Sequence, residues 1–404
     1  MNFEYSDEQR MLQDSADRLG GDLWPAAERL RHIDAFEEIS ARTWARMAEL
    51  GWLMLPIAEA DGGLGGSAVD VMALMEGLGR HLVPAPYVAS SVLVPALIGG
   101  DPAAADILAA IAQGSARAAA GLLEAGGGYD LSHVGLSATQ GPQGWTLSGE
   151  KLHVEDGAGA DWFVVSARTG GDVRDAEGIG LFLVPAAAPG LAVERFRAID
   201  QHRHARLRLE NVTGAIPIGR AGSALPVIEA AVDRAICANL AEAVGSMEAA
   251  HLATLEYLRT RKQFGVAIGT FQALQHRAVD MAIALEEARS MSYRATLSLD
   301  RPVAERRRAV SAAKVRVGQC ALYVGRQAVQ LHGGVGFSDE LVISHHLKRL
   351  MMLDCAYGSA EHHLSRFASA PDARETCISR GRVHGCDLGS ASLQTVGLPT
   401  IPPA

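Results

Sequence analysis

Two short runs carry the most specific chemistry in this chain. The first is Arg261-Lys262-Gln263-Phe264-Gly265, continuing to Phe271-Gln272; the second is Gln330-Leu331-His332-Gly333-Gly334-Val335-Gly336-Phe337. Each begins or ends a long helical pattern, so cations, amides and unhindered glycine backbone stand at helix termini, where a polyanion such as a diphosphate can be met. Other reactive side chains read more plainly. The five cysteines, Cys237, Cys320, Cys355, Cys377 and Cys386, are odd in number, with no Cys-x-x-Cys pair. Three of them fall in helical patterns as small buried apolar residues, so structural disulfides and zinc are not expected. His345, His346, His362 and His363 lie on one helical segment. His346 and His362 are too many turns apart to share an ion, so solvent-facing or interface histidines and no metal are expected. Arg306-Arg307-Arg308 after Pro302 reads as a solvated helix start, with contact to a phosphate or partner as the alternative.

The elements that must position these residues change character three times. Residues 1–116 are helical text: Ser6 is an N-cap before Asp7 and Glu8, Thr43 to Leu50 carries helical apolar spacing, Glu59 to Gly66 is a loop, and Val69 to Leu82 resumes helix. Residues 117–222 shorten to strands at Trp145–Ser148, Trp162–Ser166, Gly180–Val184 and Arg206–Glu210, which predicts a small antiparallel β domain. Residues 223–370 return to long helices. The series Phe271, Leu274, Ala278, Met281, Leu285, Ala288, Ser292, Ala295, Leu299 steps by three and four, and with Val227–Arg259, Val303–His332 and Leu341–Phe367 it predicts a four-helix bundle. Residues 371–404 lose periodicity and are left out of the fold as an irregular tail, non-native or disordered. The fold class is thus mainly α with a small central β domain. A net charge of -9 argues against general nucleic-acid binding. An acidic start and the lack of an apolar run of roughly 20 residues predict no secretory signal and no membrane insertion, hence a cytoplasmic protein.

Taken together, these motifs resemble the flavin-dependent acyl-CoA dehydrogenases. The likeness covers about residues 1–370 and includes Leu50-Gly51-Trp52, Gly62-Gly63-Leu64-Gly65, Ser148-Gly149-Glu150-Lys151 and Gly180-Leu181-Phe182-Leu183-Val184-Pro185. It implies a helical domain, a β-barrel and a four-helix bundle, and FAD as cofactor. Arg261, Phe264, Gln272, Gln330, Gly333 and Gly334 would bind the FAD diphosphate and adenosine across a subunit interface, in a homotetramer or a heterotetramer with a related subunit. The implied reaction oxidises an acyl-CoA to its 2,3-enoyl product, a carboxylate taking the α proton. Electron-transfer flavoprotein or a similar acceptor would take up the electrons. The stretch from His332 to His363 is similar to the branch found in steroid and cyclic-acid degradation.

The same resemblance exposes departures. The commonest family base is a Glu in a Tyr-Glu-Gly-Thr run, and here Tyr357 stands there in Ala356-Tyr357-Gly358-Ser359. A phenol with a pKa near ~10 is a poor base at neutral pH. A minority of the family places the base before an Arg early in the first bundle helix, which gives Asp233 when read from Arg234 and Ala235 when read from Gly245; Asp233 is the candidate. Glu242, Asp354 and Glu361 read as structural carboxylates. The family's Trp-Ile-Thr or Trp-Ile-Ser, whose indole covers the flavin and whose hydroxyl lies near N5, is replaced by His153-Val154-Glu155. The acyl-side loop is Leu123-Glu124-Ala125-Gly126-Gly127-Gly128-Tyr129-Asp130. Two further readings therefore stand beside the dehydrogenase: a base-poor subunit that completes the FAD site of a heteromeric enzyme, and a flavin oxidase or monooxygenase.

Overall fold

A computed structural model describes residues 4–142 and 144–370; the tail from 371, with Cys377 and Cys386, lies outside the described residues. The chain opens with helices α1 (Asp7–Leu23), α2 (Arg29–Asp34) and α3 (Phe36–Glu49). Ser6 caps α1 in a reciprocal box with Gln9, and Ser67 does the same with Asp70 for α4 (Ala68–Arg80), each pair satisfying free amides of a first turn. A π-helical turn, Val88–Leu93, runs into α5 (Val94–Ile98), and α6 (Ala105–Ala112) follows.

Eight strands come next: β1 (Ala118–Gly121), β2 (Ser137–Gly141), β3 (Gly144–Val154), β4 (Trp162–Arg168), β5 (Ile179–Pro185), β6 (Leu191–Arg197), β7 (Arg203–Val212) and β8 (Ile216–Ile218). They form one sheet in the order β6-β7-β3-β2-β4-β5-β8, with β1 beside β4. The expected antiparallel arrangement holds except that β1 and β2 run parallel to β4, so the sheet is mixed. Both faces of its centre are buried. Phe163, Val165, Phe182 and Val184 pack with Leu147, Leu207 and Val212 in the sheet's own core, while Val164, Leu181 and Leu183 join the core shared with the helices. Strand side chains alternate faces, so burial on both sides makes β4 and β5 unbroken apolar runs.

Helices α7 (Leu225–Thr260), α8 (Gln272–Thr296), α9 (Val303–His332), α10 (Val342–Cys355) and α11 (Ala360–Ser369) pack together, with a hairpin β9 (Lys262–Gln263) and β10 (Val266–Ala267) between α7 and α8. The single fourth helix expected over Leu341–Phe367 is broken. Tyr357 has φ +57° and Gly358 φ +133°, conformations outside the helical region, and the Ser359 hydroxyl then caps α11. Among the described residues no helix is long and apolar enough to cross a membrane.

Candidate active site

One end of the bundle gathers the two sequence motifs. The last turn of α7, the hairpin, the start of α8 and the end of α9 meet there, and Tyr257 stacks on His332 with ring centroids 4.4 Å apart. His332 is buried, its Nδ1 on the Ala328 carbonyl at 2.8 Å, so it packs the cradle from behind. Phe264 and Gly265 both have positive φ, as a two-residue hairpin turn of type I′ requires, and Phe264 is left 91% exposed. Gly333 has φ 66° and ψ -147°, a region glycine alone occupies at little cost. A Cβ added at Gly333 or Gly334 would meet nothing within 4 Å, so their backbone is open to close approach. Arg261, Gln272 and Gln330 are exposed. The structure therefore brings all six predicted cradle residues to one open, partly cationic surface, flanked by the exposed rings of Phe337 and Phe271.

A second feature lies where the sheet meets the bundle: an apolar cavity of about 430 Å³. Leu93, Leu122, Ile199, Val232, Ile236 and Met352 form much of its wall. Glu155, at the end of β3, is the one carboxylate among its lining residues, and Tyr357 lines it from the α10–α11 break. Glu155 is half-buried. Burial and the adjacent Asp156 push its pKa up to about 7, against the pull of Tyr357, Arg349 and His202. The Tyr357 hydroxyl lies near enough to Glu155 to affect its titration, yet no partner meets it at a hydrogen-bond angle, and burial holds its own ionisation far above neutral pH.

Behind Glu155 is a polar network without a free carboxylate. Asp156 pairs with His202 Nδ1 at 2.8 Å. Arg349 clasps Glu242 through Nε at 2.6 Å and Nη2 at 2.7 Å, and Asp200 through Nη1 at 2.7 Å. Lys151 Nζ, fully buried, meets Glu124 at 2.5 Å and Ser166 at 2.9 Å. Glu124 also accepts from the Gly135 and Leu136 amides, which pins the glycine-rich loop to β3.

Several sequence expectations are corrected here. Asp233 is completely buried, does not line the cavity, and is held by Arg306 at 2.9 Å and Arg366 at 2.7 Å. It ties α7 to α9 and α11. Its helix neighbours Val232 and Ile236 face the cavity instead, because a step of one residue turns about 100°. The Arg306–Arg308 run is not a solvated face: Arg306 serves Asp233, Arg307 reaches Glu229 at 3.8 Å, and Arg308 donates to the Ala370 carbonyl. Three of the four histidines are not solvent-facing, and His362 is half-buried. His345, His346 and His363 are buried, and burial drives His346, bonded to Ser246 at 2.9 Å, down to about 3. Cys237 and Cys320 are buried as expected, whereas Cys355 is exposed and lines the cavity. Glu155 was missed as a candidate. Its signal was a carboxylate where the family resemblance places a hydroxyl.

Residues 6–115, 119–212 and 225–370 match the family models described as the N-terminal, middle and C-terminal domains of acyl-CoA dehydrogenase. The chain is 28% identical over 374 residues to "Probable acyl-CoA dehydrogenase YngJ" of Bacillus subtilis, covering 89% of this chain and 97% of that protein. Among solved structures it is similar to the Tcur3481-Tcur3483 steroid ACAD at 30% identity and TM-score 0.80, covering 92% of this chain and 99% of that one. It is also similar to "PigA with FAD and proline" at 25% identity and TM-score 0.82, covering 94% and 100%. The chain belongs to the acyl-CoA dehydrogenase family.

Proposed function

We propose that this protein is an FAD-dependent dehydrogenase that converts an acyl-CoA thioester to its 2,3-enoyl-CoA, with each cofactor shared between two chains. The observation carrying this reading is the combination of an apolar cavity containing one uncommitted carboxyl with an open, cationic, glycine-rich cradle. The cradle residues fit a diphosphate: Arg261 brings charge, Gly333 and Gly334 bring accessible backbone, and Gln272 opens α8. When bound, the flavin supplies the two-electron acceptor. Arg261 and the cavity residue Ile236 are some two dozen residues apart on α7, roughly 37 Å of helix. One cofactor is too short to span that length, so the cradle of one chain serves the cavity of another. The exposed Phe264 and Phe337 supply apolar surface for that association. A ring-bearing acyl group suits the cavity's apolar walls, and the likeness to a steroid ACAD supports that class.

The test is the visible spectrum and FAD-to-chain ratio of the purified protein, then anaerobic addition of linear, branched and ring-bearing acyl-CoAs. Stoichiometric FAD that bleaches with one of them is expected. Tyr357 at the position of the family's usual Glu favours a second reading, a subunit completing the FAD site of a related catalytic chain. Colourless protein that acquires FAD only with such a partner would select that reading.

A further inference from the structure

Removing a carbon-bound proton next to a thioester needs a base that faces the substrate and is not already engaged. The carboxylates near the cavity separate cleanly on that criterion. Asp233 is gripped by two arginines, Glu242 and Asp200 by Arg349, Asp156 by His202, and Glu124 by Lys151 and two amides. Among these carboxylates Glu155 alone lines the cavity, and it is half-buried with no ion pair. We propose that Glu155 is the catalytic residue that takes the α proton of the thioester. This rests on the reading of the cavity as the acyl site.

The step is a proton transfer: the α C–H bond breaks, an O–H bond forms on the Glu155 carboxylate, and the carbon's electron pair is delocalised into the thioester carbonyl. The apolar wall keeps water from competing for the proton, and a carboxyl poised near neutral pH suits a base working there. The groups that set its protonation come from every neighbouring element. Asp156 follows it in the turn after β3, His202 comes from the turn into β7, and Arg349 and Tyr357 come from α10 and the break after it; His204 on β7 acts on Asp156. Lys314 on α9 and Tyr129 in the glycine-rich loop feel its charge from further off. Lys314 also donates to the Leu353 and Asp354 carbonyls, which fixes the end of α10 from which Tyr357 approaches.

The deprotonation can be observed without any redox step. The FAD-loaded protein is incubated in D₂O with 3-thiaoctanoyl-CoA, whose sulfur at the β position leaves no β hydrogen to transfer, and α-deuterium uptake is followed by mass spectrometry. Wild type should exchange, with a rate that rises through about pH 7. Glu155→Gln, at wild-type FAD content, should lose exchange by about 100-fold or more, as general-base contributions usually run. Glu155→Asp should restore part of it, which separates chemistry from folding. Folded Asp233→Asn should exchange as wild type does. Exchange within twofold of wild type in Glu155→Gln, loss confined to Asp233→Asn, or no exchange in wild type would overturn the assignment. An enzyme that bleaches but exchanges independently of Glu155 overturns this inference alone; exchange without bleaching overturns the dehydrogenase reading alone.

Discussion

The cradle at the bundle end and the cavity at the sheet–bundle junction are built on opposite plans. The cradle is a contiguous surface assembled from two helix ends, one helix start and a hairpin, and its residues are exposed and weakly engaged. The cavity is assembled from loops and helix faces far apart in sequence, and nearly every charged group around it is already paired. An exposed recognition surface needs little internal compensation, whereas charges buried around a cavity must be matched to be tolerated. Glu155, the one carboxyl among the cavity's lining residues, therefore stands out by having no ion pair.

The largest predicted effect separates Asp233 from catalysis. Asp233→Asn leaves Arg306 and Arg366 facing a neutral group, and chemical denaturation should show a loss of about 3–5 kcal/mol. An unchanged midpoint would mean that the double clamp does not form.

At the cradle, Arg261→Ala should weaken FAD binding roughly tenfold to a hundredfold by fluorescence titration, the range for a charge-assisted hydrogen bond. Arg261 is exposed, so folding stability should stay within about 0.5 kcal/mol. Equal losses in affinity and stability would make the cradle a structural element.

The contrast between the two regions also explains what could be read from the sequence. The meeting of the two motifs at one end of the bundle was legible because each is a short run that marks helix ends, and the bundle was legible from its three-four periodicity. The network around Arg349 was not, because Glu242, Asp200 and Arg349 come from α7, a strand connection and α10. Asp233 does not line the cavity because helix direction, not neighbourhood in sequence, decides which residue reaches it. The break at Tyr357 and Gly358 was hidden by the helical text on both sides, so the fourth helix read as one.

A smaller effect concerns pH. Folded Glu155 keeps its proton to about pH 7, while an ordinary glutamate releases it near 4.5, so the folded state binds more protons between those values. That contribution makes stability fall as pH rises through the window. Glu155→Gln removes it, and the variant's melting temperature relative to wild type should climb between pH 5 and pH 8. A pH-independent difference would place Glu155 in a wetter site than the cavity provides.

Smallest for the single chain is Phe264→Ser. Because the ring is 91% exposed, the change should leave unfolding within about 0.5 kcal/mol while raising the concentration at which oligomers dissociate in sedimentation velocity. Unaltered association would remove Phe264 from the interface.

The division of labour between chains is tested most directly by mixing two defective proteins. Chains carrying Glu155→Gln keep an intact cradle, and chains carrying Arg261→Ala keep an intact cavity; each alone should bleach poorly with a cognate acyl-CoA. Co-expressed and purified as mixed oligomers, they should regain bleaching, because some sites then combine an intact cavity with an intact cradle from the neighbouring chain. Mixed oligomers no more active than the average of the two parents would contradict a site shared between chains.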